Sequence, residues 1–197
     1  MFIKLTAYEG AFGWYEMRTL AEAIVELSDA MEEKDVHALR KLSNQCLDKV
    51  SLEEKHAFLK PAMIAYALAK VIAKPHYWKG RSQTVFFNEA LKKFERAAAV
   101  AESDEGTALD LLEDVEKMLR ALDVKDKRFV RDIMEKAKLK TASTLYAQGF
   151  SLDRAIEMTG ADKRELIKYI GKTMMFDRTG SARSMEQRLK ALREIIS

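Results

Sequence analysis

The sequence predicts an all-α protein: a multi-helix bundle followed by a C-terminal trihelical unit. Three observations carry this. Only two prolines and eight glycines interrupt 197 residues, so few positions force the chain out of a helix. Ala, Leu, Glu, Lys, Met and Arg, which lose little on entering a helix, dominate the composition. Apolar residues recur at three- and four-residue intervals, and alternation with polar residues is rare.

In chain order, Met17, Leu20, Ala21, Ile24, Leu27 and Met31 form one apolar stripe, predicting a helix from Tyr15 to about Met31. A second helix starts at Asp35 as N-cap and carries Val36, Leu39, Leu42, Cys46, Leu47 and Val50. Ser51-Leu52-Glu53-Glu54 has the spacing of a capping box and predicts a new helix start there. Pro61 kinks or restarts that helix, since proline fits a first turn and breaks an interior. Met63–Ile72 is apolar nearly all round, the mark of a central buried helix. Helices over about Ser82–Ala101 and Glu105–Leu122 flank the acidic loop Glu102-Ser103-Asp104. A long helix from about Lys125 to Gln148 ends at Gly149. Short helices at 152–159 and 162–170 and a last one at about 182–196 complete the chain. Phe2–Tyr8 reads as extended, with no second strand to pair with.

Composition excludes several classes. Cys46 is the only cysteine, so neither an internal disulfide nor a Cys-based zinc site is available. The first residues lack the charged-then-apolar layout of a signal peptide. The longest apolar run, Pro61–Ala69 between Lys60 and Lys70, is about half the roughly 20 residues of a membrane span. A cytoplasmic protein is therefore expected. The charge-rich, amide-poor balance, with Asn and Gln together numbering six, resembles thermophile usage.

The net charge of +3 hides an asymmetry. Residues 1–119 hold 16 Lys/Arg against 20 Asp/Glu, and residues 120–197 hold 18 against 11. The sign changes near Asp123-Val124-Lys125-Asp126. The expected division is a bundle over 1–122, for dimerisation or partner binding, and a basic helical domain over 123–197. A basic part of this kind suits a polyanionic partner.

Within that part, Gly149, Gly160 and Gly171 each follow a helical stretch at eleven-residue spacing. Ser151 is placed to cap 152–159, and Asp162 to cap 163–170. Ala155, Gly160, Ala161, Leu166 and Tyr169 give the small, turn and apolar positions of two short helices joined by a tight turn. On these residues, 151–171 resembles the helix–turn–helix superfamily of DNA-binding domains, with Ile156 standing where many such motifs have alanine. The resemblance covers about 21 residues and implies a third core helix just upstream. It also implies that Lys163, Arg164, Ile167 and Lys168 face outward, the cations toward guanine edges or phosphates and Ile167 toward a thymine methyl. Lys172, Arg178, Arg183 and Arg188 would add phosphate contacts. The expected function is a DNA-binding, regulatory protein acting on double-stranded DNA as a homodimer. The alternative is a helical adaptor that binds protein partners through the N-terminal bundle or the loop with Tyr77 and Trp78.

Other constellations carry less. Gly171-Lys172-Thr173 looks like the tail of a phosphate-binding loop, but Leu166 stands where that loop needs glycine. Glu53 and His56 have half the di-iron bundle spacing, without the second motif and further glutamates that the site needs. His37 and His76 do not supply it. With three histidines and one cysteine, no nucleophile–base pair is indicated, and no enzyme, metal or cofactor is expected. The aromatic segments Pro75–Arg81 and Gly10–Tyr15 suit anchoring to a core, or else stacking on single-stranded nucleic acid or a partner groove. Met158, Met174 and Met175 suit filling an irregular core, or else a hydrophobic binding surface.

Overall fold

The computed structural model describes residues 19–74, 81–125 and 133–173, and among these there are eight α-helices and no strand. Helix α1 spans Leu20–Glu32. Its start is a reciprocal capping box: Glu22 N–H donates to Thr19 Oγ1 and Thr19 N–H donates to Glu22 Oε2, both at 3.2 Å. Helix α2 spans Val36–Glu53, with the Asp35 carboxylate accepting from the N–H groups of His37 and Ala38 at 2.8 and 3.0 Å.

The expected helix start at Ser51 is overturned. Ser51 lies in the last turn of α2, where its hydroxyl donates to the Asp48 carbonyl at 3.2 Å. Glu54 is instead the left-handed residue (φ 55°) that ends the helix. Once nucleated at Asp35, a helix extends at small cost per residue, and a serine inside it satisfies its hydroxyl on a preceding carbonyl. A single 3₁₀ turn, His56–Phe58, then leads into α3, Leu59–Ile72, with Pro61 in its first turn. Glu53 and His56 therefore do not share a helix. Glu53 pairs with Lys49 and Lys55.

Helices α4 (Arg81–Val100) and α5 (Glu105–Lys125) form an antiparallel pair. Asp104 caps α5, accepting from Thr107 N–H at 3.0 Å and Thr107 Oγ1 at 2.6 Å. Lys125, expected to open the next helix, belongs to α5, and α6 is described over Ile133–Ala147. Gly149 (φ 108°) ends α6, with Phe150 N–H donating back to the Leu145 carbonyl at 3.1 Å. The expected elements at 2–8 and 182–196, and the first turn expected at 15–18, lie outside the described residues.

Helix α3 is the axis of the molecule. Eleven of its fourteen residues are buried, so it must be enclosed on all sides, and it packs on α1, α2, α5 and α6. Ser43 on α2 donates to the Ala62 carbonyl at 2.8 Å inside that contact. Helix α4 packs on α1 and α5. The buried residues form one cluster running from Leu20 to Leu166, so the parts before and after residue 123 share a core. The Gln148 amide, at the end of α6, donates to Asp48 on α2 at 2.9 Å. No helix among the described residues is long and apolar enough to cross a membrane.

Candidate nucleic-acid interface

Beyond Phe150 the chain builds two short helices, α7 (Leu152–Thr159) and α8 (Lys163–Thr173). Ser151 Oγ accepts from Arg154 N–H at 3.2 Å and caps α7. Gly160 takes the left-handed conformation (φ 64°) that ends it, its N–H reaching the Ile156 carbonyl at 2.8 Å. The turn is tied from inside by buried Thr159. Its hydroxyl donates to the Ala155 carbonyl at 2.7 Å and accepts from Ala161 N–H at 3.3 Å. Asp162 then caps α8 by accepting from Glu165 N–H at 2.9 Å.

Ala155, Ala161 and Leu166 are buried, and they anchor both helices to α6. Helices α7 and α8 each pack on α6 more than on each other, and Ile156 is half-buried at that contact. On α8, Lys163, Arg164, Ile167 and Lys168 are all exposed, Ile167 to 52%. Lys172 is exposed on the same helix. Gly171 does not cap α8: it lies within the helix, exposed, without a positive φ. A glycine weakens a helix by about 1 kcal/mol without obliging it to end. Arg178, Arg183, Arg188, Tyr77 and Trp78 lie outside the described residues.

The charges on α8 are not equivalent. Lys163 Nζ bridges to Asp153 on α7 at 2.8 Å, and Arg154 is paired with Glu157 at 2.8 Å. Arg164, Lys168 and Lys172 have no carboxylate partner among the described residues. No known protein family, curated protein or solved structure matches the chain. Its own geometry therefore carries the functional reading.

Sequence reasoning passed over a second set of cations beside α8. Lys70 lies in the last turn of α3 with Lys74 just past its end, and Lys136 and Lys140 stand one turn apart on α6, which packs on α3. Burial, followed by Arg40, Lys74 and Lys136, pushes the Lys70 pKa down. Burial and then Lys70 do the same to Lys140. Burial also raises the Tyr66 phenol to about 12, with a further push from Tyr169. The signal was in the sequence as the Lys-x-x-x-Lys spacing, which at 136 and 140 is a like-charge pair of the kind isolated helices disfavour.

Proposed function

We propose that the chain binds double-stranded DNA through α8, as a regulatory protein acting in two copies on two half-sites. One observation supports this above the others. A single face of α8 presents Lys163, Arg164, Ile167 and Lys168 to solvent, while Leu166 on the helix and Ala161 just before it are buried in the core. A helix so held enters a major groove without giving up its packing. Arg164 and the lysines meet guanine edges and phosphates, and Ile167 meets a thymine methyl. Two copies place their α8 helices about 34 Å apart, one turn of duplex, and so double an otherwise short readout.

Fluorescence anisotropy with a mixed-sequence duplex at low salt tests the reading. Binding should weaken linearly in log–log salt plots with a slope of about −0.9 for each phosphate neutralised. Lys163→Glu with Arg164→Glu should lower affinity at least ~10-fold with an unchanged helical CD spectrum, each lost contact being worth about 1–3 kcal/mol. Asp153→Asn should tighten binding a few-fold, since it frees Lys163 and removes a charge that repels phosphate. Flat anisotropy at low salt overturns the proposal.

A further inference from the structure

Helices α3, α6 and α8 enclose a groove of about 730 Å³, within the roughly 300–1,000 Å³ usual for small-ligand sites. Every side contributes lysines: Lys70 on α3 with Lys74 just past its end, Lys136 on α6, and Lys168 and Lys172 on α8. These five lysines line the groove, against three carboxylates. Two of the acids are occupied elsewhere: Glu135 bridges to Lys138 at 2.9 Å and Arg120 at 3.4 Å, and Asp162 caps α8. Glu165 is the third. No salt bridge reaches Lys70, Lys136, Lys140 or Lys168 among the described residues. Tyr66, Tyr169, Ile133 and Leu139 supply an apolar lining, and Lys70 Nζ stands 5.3 Å from the Tyr66 ring centroid.

We infer that this groove binds a phosphorylated small molecule with an aromatic or apolar body. Like charges one turn apart cost a helix a few tenths of a kcal/mol, and five lysines against three carboxylates give the groove a cationic field that a bound anion relieves. Lys70, half-buried among the lining residues, is within reach of a compact anion and less accessible to a duplex strand lying across the surface. The phosphates meet the lysines, and the body of the ligand lies against Tyr66 and Tyr169. Because Lys168 also belongs to the outward face of α8, an occupied groove competes with DNA for it. That last link rests on the DNA reading, and the groove itself does not.

Isothermal titration of the full chain with ADP and with pyrophosphate, no DNA present, tests the groove alone. ADP should bind with a Kd below about 1 mM, and pyrophosphate, which lacks the body, several-fold more weakly. Lys70→Gln with Lys136→Gln should weaken ADP about 10-fold or more, as charge-assisted contacts are lost. Should that variant fail to fold, Lys168→Gln with Lys172→Gln, both on exposed positions, serves the same purpose. No heat and no shift in Tm at about 10 mM ADP overturns the inference. So does equal affinity in parent and variants, or equal affinity for ADP and pyrophosphate. Loss of duplex binding in Lys70→Gln/Lys136→Gln without any ADP binding assigns the groove to a DNA strand and overturns the small-molecule occupant.

Discussion

At the residue scale, Glu116 stands out because its Oε1 is buried without a hydrogen-bond partner among the described residues. Burial raises its pKa, and Lys60, Arg120 and Lys138 only partly offset this. A carboxyl whose folded-state pKa is raised holds its proton to higher pH in the native protein than in the unfolded chain. Its contribution to stability is therefore lost as pH rises above the ordinary glutamate value and through the raised one. At pH 7 the native state carries a poorly solvated charge, so Glu116→Gln should stabilise the protein. The expected gain is about 1 kcal/mol, a rise in Tm of about 3 °C for a chain of this length. The gap between variant and parent should close as the pH is lowered toward 4. A gap that stays constant, or a destabilised variant, would show that the carboxylate is satisfied.

At the element scale, the ends of helices decide what was legible. Asp35, Ser151 and Asp162 were read correctly, because a short polar side chain before an apolar-periodic run has little else to do there. Ser51 and Gly171 were misread because the same residue types inside a helix are overruled by the turns on either side of them. The Thr19–Glu22 box was missed because the apolar stripe began upstream of it. For the site, the outward face with Lys163, Arg164, Ile167 and Lys168 came from the helix–turn–helix resemblance, and all four are exposed. The convergence of Lys70, Lys74, Lys136, Lys168 and Lys172 was not legible, since it depends on how α3, α6 and α8 are placed around one another, which no local pattern encodes. The two kinds of helix end make opposite predictions. Thr159→Val keeps the shape but strands the buried Ala161 N–H, and should cost about 1–2 kcal/mol. Gly171→Ala meets open space in a helical backbone, and should add about 0.5–1 kcal/mol. Urea unfolding followed by CD measures both, and a loss of stability in Gly171→Ala would mean that the glycine is required where it stands.

At the scale of the whole molecule, the continuous core from Leu20 to Leu166 implies that the described helices unfold together. Cys46 is a built-in reporter of this. It is fully buried on α2, and burial holds its thiol well above the usual cysteine range. Reaction with a thiol reagent should wait for global opening, so its urea dependence should follow the CD transition. Rapid labelling with the CD signal intact would reveal local opening of α2 against α3. The shared core also gives the molecule polarity. Between Leu20 and Asp35, α1 and its exit turn carry six carboxylates and one lysine, while Lys70, Lys74, Lys136, Lys168 and Lys172 gather around one groove. Held on one shared core, these opposite charges give the described residues a dipole. An approaching polyanion would turn the protein before touching it, so that α8 and its groove arrive first and the acidic helix last.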